Sequence, residues 1–181
     1  MLIQRLLFVL AIAALTVCGR AEAAHSDPLA AWFQSGRCAS FNNIASPKVP
    51  YARNSEERLE WVHHPPPFQP SGAATYIYDA AHGVVFRTLG QDSTRSFILR
   101  KIANLPARVR RADLSGIATS SGIRIGTSAQ TVQRKLGKPY VLHACGLERF
   151  AYLINRQVGG NALEFTIQNG RVVEIYQTYG D

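Results

Sequence analysis

Asn169-Gly170 lies between two runs of alternating apolar and polar residues, and this restricts the fold more than any other feature of the chain. A two-residue hairpin turn whose twist matches its strands needs positive φ at both central positions, and Asn and Gly supply that at little steric cost. Residues 162–167 and 172–176 are therefore predicted to pair as antiparallel strands. Leu163, Phe165 and Ile167 alternate with Glu164, Thr166 and Gln168, which predicts one buried and one wet sheet face. Continuing the alternation past the turn adds Val173 and Ile175 to the buried set.

Other elements follow from similar local signals. Gly122-Ile123-Arg124-Ile125-Gly126 leads into Thr127-Ser128-Ala129-Gln130, where Thr127 and Gln130 have capping-box spacing. Val132 and Leu136 are four apart on one helical face, and Gly137 with Pro139 ends the helix. Residues 149–154 read as a strand. Residues 74–78 and 84–89 are rich in β-branched and aromatic side chains and flank Asp79-Ala80-Ala81-His82-Gly83, a loop of hairpin length. Residues 96–102 read as a third strand in that region and 107–117 as a fourth. The prediction is an α+β fold: an antiparallel meander packed against one or two short helices, with an irregular, Pro-rich N-terminal arm. Hydrophobic residues at 46% and charged residues at 18% exclude collagen, coiled coil and a wholly disordered chain.

The N-terminus reads as an address. Arg5 precedes the apolar run of residues 6–17, which falls short of the ~20 residues needed to span a bilayer as a helix. Ala21-Glu22-Ala23 supplies a small-residue exit, so residues 1–23 are expected to be a secretory signal peptide. Leu15-Thr16-Val17-Cys18 offers a lipoprotein alternative, with Val17 where that motif wants a small residue. No later stretch is apolar for long enough to span, so no transmembrane segment is expected after cleavage, and the localisation is periplasmic or secreted. Residues 24–71 would then hold an N-terminal helix and the Pro-rich arm, and residues 72–181 the sheet, as one folding unit. Asp27 and Pro28 suit a helix start and Gly36 its end, with Leu29, Trp32 and Phe33 on one face for docking to the main body. Residues 37–71 read as a long surface excursion; within it residues 55–62 are open to either a short helix or a terminal strand.

Cleavage after Ala23 leaves Cys38 and Cys145. An oxidising compartment favours a disulfide, and only one intramolecular pair can form. A catalytic Cys/His reading competes, because His143 is two residues before Cys145.

One stretch resembles a known group. The string G-I-x-I-G-x-S, then V-x-x-x-L-G-x-P, an aromatic strand and a strand–NG–strand end covers residues 122–175. It is similar to the helix-plus-meander unit of SmpA/OmlA outer-membrane assembly lipoproteins and of β-lactamase-inhibitor-like proteins. The resemblance implies a small α+β domain that holds another protein and is not an enzyme.

Direct signals for chemistry are sparse. His63-His64 and the separate His25, His82 and His143 lack the tight spacings of zinc sites, so no metal or cofactor is expected. The G-x-S-x-G nucleophile elbow is absent, and Ser128 at a helix start is explained by capping. Asp79 and Asp92 could form a carboxylate pair, although any chain with this many acids offers such pairs. Gly159-Gly160-Asn161 reads as a turn, with no helix behind it to make a phosphate cradle.

The remaining chemical feature is basic. Twenty Lys and Arg oppose twelve Asp and Glu, and sixteen of the twenty are arginine. Arginine suits bidentate contact with carboxylates and phosphates. Arg100, Arg108, Arg110 and Arg111 are the expected binding face, with a solvated, solubilising strand face as the alternative. Export argues against nucleic acid, so the expected partner is an envelope protein or an anionic envelope component. Two functions remain in view: a non-enzymatic binding or inhibitor-like module, and a small periplasmic hydrolase. A concave pocket with a histidine near a carboxylate favours the enzyme; a flat, arginine-rimmed apolar patch favours binding.

Overall fold

The computed structural model describes residues 28–41, 48–54, 56–61, 75–89, 96–102, 109–154 and 161–178. Residues 1–27, with Cys18 and the expected signal peptide, lie outside them, as do His63, His64, the proline cluster, Asp92, Arg95 and Arg108.

The chain contributes helix α1 (Pro28–Gln34), a 3-10 turn (Ala39–Phe41), and strands β1 (Leu59–Trp61), β2 (Thr75–Asp79), β3 (Val84–Leu89), β4 (Ser96–Lys101), β5 (Arg110–Arg111) and β6 (Ile117–Thr119). Helix α2 (Ala129–Leu136) and strands β7 (Tyr140–Ala144), β8 (Leu147–Leu153), β9 (Ala162–Gln168) and β10 (Arg171–Thr178) follow. Eight strands form one sheet in the order β5-β2-β3-β4-β10-β9-β8-β7, and β1 pairs with β6 in a separate ribbon. Two meanders, β2–β4 and β7–β10, thus join through the antiparallel β4–β10 pair, where Ile175 faces Leu99. The fold is α+β and strand-rich, as expected. Among the described strands, β5 pairs in parallel with β2 at the edge, and the expected fourth strand over 107–117 is divided between β5 and β6.

The Asn169-Gly170 hairpin forms, with φ of 50° and 71° at the two turn residues. Gly126 donates to the Val172 carbonyl and Ala129 to that of Gly170, so this hairpin also anchors the start of α2. The N-cap is Ser128, one residue later than the spacing of Thr127 and Gln130 predicted: its side chain accepts from the Thr131 N–H. Thr127 instead accepts from the Arg124 N–H, closing the preceding turn.

The core side of the sheet carries Ile77, Phe86, Leu99, Phe150, Leu163, Phe165, Ile167 and Ile175, covered by Val132 and Leu136 of α2 and by Ile117 and Leu59 of the ribbon. A bulge between Val172 and Glu174 corrects the expected core set. The extra residue shifts the side-chain phase, so Val172 is fully buried and Val173 is only partly so.

The second correction concerns the polar side. Glu164 and Thr166 are buried, not wet, because α1 and the following turn cover that face. Phe33 packs with Tyr76, Tyr78, Val85 and Ile98, with Leu29 and Trp32 beside it, so the N-terminal helix does dock through its predicted stripe. The described part of 37–71 is likewise no surface excursion. Val49, Ala52, Glu57 and Leu59 are buried, and Ala52 donates to the Leu153 carbonyl at 2.9 Å. The 55–62 stretch resolves as a terminal strand over Leu59–Trp61, held against β6. Strand β7 was not expected from sequence.

Candidate functional site

The expected arginine face is not one surface. Arg100 points beneath α1, where its guanidinium donates to the carbonyls of Phe33 at 2.6 Å and Ser35 at 2.8 Å and lies 3.6 Å from Glu174. These partners make it a clamp on the N-terminal helix and correct its assignment to an exposed face. Arg110 and Arg111 are exposed on the β5 edge, and Arg108 lies outside the described residues.

Arg100 belongs instead to a buried charge network. Arg149 on β8 reaches across the sheet to Glu164 at 2.6 Å and Glu174 at 2.8 Å. Arg37, just after α1, grips the same Glu174 with two donors. The Arg149 guanidinium stacks 4.7 Å from the Phe41 ring centroid, which covers the network. Burial raises the Glu164 carboxyl above its ordinary range, and the neighbouring Arg149 only partly opposes this. Cys38 and Cys145 are joined, with Cα atoms 5.9 Å apart, fastening the turn that holds Phe41 to the β7–β8 hairpin. The bond leaves Cys145 no thiol, which removes the Cys/His catalytic reading.

A second constellation lies on the opposite side, at the β2–β3 hairpin. Asp79 is 3% exposed, and one of its oxygens accepts from the N–H groups of Ala81 and His82. The other accepts from the Leu114 N–H at 3.0 Å and meets Nδ1 of the His82 ring at 2.7 Å. Burial works to raise the Asp79 carboxyl, but these donors outweigh it and hold it below its ordinary range. The hydrogen bond to Asp79, and the carboxylate's charge, raise the His82 imidazole. Nδ1 is thus tied down, and the ring is otherwise exposed.

His82 borders a cleft of about 320 Å³ floored by Val84, Leu99, Leu114, Ile117 and Ile125. Lys101, Arg124 and Ser115 complete its wall. Asp113 stands close enough that one ligand atom from each of Asp79, His82 and Asp113 falls within 4.8 Å of the others. This group was missed in sequence because Asp113 comes from the connection between β5 and β6, far along the chain from Asp79; the i, i+3 spacing of Asp79 and His82 was the available local signal. Its fit to a divalent ion is poor, since both Asp79 oxygens already accept hydrogen bonds from protein donors.

Among the described residues, no helix is long and apolar enough to cross a membrane. A scan of protein-family models, a search of curated proteins and a search of solved structures each found no match to this chain.

Proposed function

We propose that the chain is an exported, periplasmic or secreted binding module of the bacterial cell envelope that engages an anionic partner at the His82 cleft. One observation carries this reading. His82, Lys101 and Arg124 surround an apolar floor, while Asp79, the carboxylate among the lining residues, has both oxygens committed to internal donors. A group with an apolar body and a negative end matches that wall. Arg110 and Arg111 lie on the strand that runs into the Leu114–Ser115 wall, extending the basic character along the sheet edge. An inhibitor-like or assembly-accessory role, as the resemblance over residues 122–175 implies, is the specific form of this proposal. Chemical crosslinking in the exporting cell tests it. Capture of an anionic component should fall with rising salt and with Lys101→Ser plus Arg124→Ser; capture indifferent to both excludes this cleft.

The enzyme reading has its own support, since the cleft is concave and holds a histidine against a carboxylate. Ser115 lines the same cleft. Asp79 would orient the ring as triad acids do. Against it, among the described residues no hydroxyl or thiol is hydrogen-bonded to the His82 ring, and the Asp79 contacts are accounted for as the knot of the hairpin. Ester hydrolysis abolished by both His82→Ala and Ser115→Ala would replace the binding reading with this one.

A further inference from the structure

The cavity beneath the N-terminal cover is a different place with different chemistry. It has a volume of about 140 Å³, and Arg37, Arg100, Lys101, Arg149, Thr166 and Glu174 are among its lining residues. Its charges do not balance. Arg37, Arg100 and Arg149 face two carboxylates, Glu164 and Glu174. Arg87, buried against Phe33 and Tyr76 under the same helix but outside the cavity lining, is a further cation nearby. An uncompensated charge in a low-dielectric setting is costly, and a bound counter-ion relieves that cost.

A second observation concerns a single atom. Arg149 is 4% exposed in its side chain, and its Nε has no hydrogen-bond partner although both terminal nitrogens are paired. Buried N–H groups left unpaired in this way are uncommon and ask for an acceptor. Arg100 is also under strain of charge: burial lowers its guanidinium from the ordinary range, Glu174 opposes this and Arg37 adds to it.

We propose that this cavity binds one small oxyanion, a phosphate, sulfate or carboxylate group, between Arg37, Arg100 and Arg149. The oxyanion brings the negative charge the cluster lacks and an acceptor for the unpaired Nε. The site is distinct from the His82 cleft: the two share Lys101 at their rims, but none of Arg37, Arg100 and Arg149 lines the cleft.

Isothermal titration of the oxidised protein with inorganic phosphate, against chloride at equal ionic strength, is the test. One saturable site specific to phosphate is expected. Arg37→Gln and Arg149→Lys should each weaken it about tenfold or more, the size expected for a lost charge-assisted hydrogen bond. Arg149→Lys keeps the charge and removes Nε, so its loss reports geometry. Glu164→Gln should tighten binding, an outcome a purely structural cluster does not produce. Arg134→Gln, on the exposed side of α2, is the control for net charge. Glycerol 3-phosphate distinguishes a free ion from the end group of a larger molecule: equal affinity supports the latter, exclusion the former. A wild type that takes up no phosphate, a response equal to that of chloride, or binding unchanged in Arg37→Gln and Glu164→Gln overturns the proposal, whether or not Arg149→Lys folds.

Discussion

Arg37 and Glu174, 137 residues apart in sequence, form a two-point ion pair, with Nε and Nη2 of the arginine 3.0 and 3.1 Å from the two carboxylate oxygens. The pair joins the N-terminal cover to the central strands of the sheet, and Glu174 simultaneously accepts from Arg149. Glu174 is therefore the hinge of the polar layer. Glu174→Gln should cost about 3–5 kcal/mol, because it strands several buried arginines, and more than Arg37→Gln, which leaves Arg149 to pair with the same carboxylate. Urea unfolding of the two variants and their double mutant measures this; equal costs would show that the carboxylate is not shared.

The disulfide should hold the cover in place. It closes a separation of 107 residues, and its loss should lower stability by about 2–5 kcal/mol. Cys38→Ser plus Cys145→Ser should also raise hydrogen exchange in α1 before it does so in α2, since α2 is bound to the opposite side. Uniform exchange across both helices would refute that order.

The bulge in β10 gives a test of neighbouring residues. Val172→Ala removes fully buried methyl groups and should cost about 1–3 kcal/mol, while Val173→Ala should cost well under 1. Phe165→Ala, at the centre of the same face, should cost about 3–5 kcal/mol. Denaturant midpoints check all three; a Val173 cost matching that of Val172 would place the phase shift wrongly.

The Asp79–His82 pair should make stability depend on pH in both directions. Asp79 is held below its ordinary value of 3.8, so its contribution is present above that value and lost as pH falls through the lower folded one. His82 is raised above 6.5, so its contribution is full below 6.5 and disappears as pH rises through the folded value. The melting-temperature difference between wild type and His82→Ala should therefore be largest between the two and shrink towards alkaline pH. A difference that grows above neutrality contradicts the pairing.

Much of the fold was legible because it depends on local rules. The Asn169-Gly170 turn, the α2 stripe of Val132 and Leu136, the docking stripe on α1 and six strands (β2, β3, β4, β8, β9 and β10) all follow from periodicity and turn chemistry within a few residues. The pairing of Cys38 with Cys145 needed only the count of cysteines left by the expected cleavage. What could not be read there depends on residues brought together from far apart. Whether Glu164 and Thr166 face water was decided by α1 and Phe41 folding over them, which no alternation within β9 records. The bulge moved one valine out of the core and another in, because strand phase is set by the partner's register as well as by the strand's own sequence. Arg100 looked like one of a surface group since charge density along a chain carries no information about sheet faces; three-dimensional packing turned it towards Phe33, Ser35 and Glu174. The His82 cleft arose in the same way, from the β2–β3 hairpin, β4, the connection from β5 into β6 and a pre-helix loop, whose side chains meet only after the core has closed.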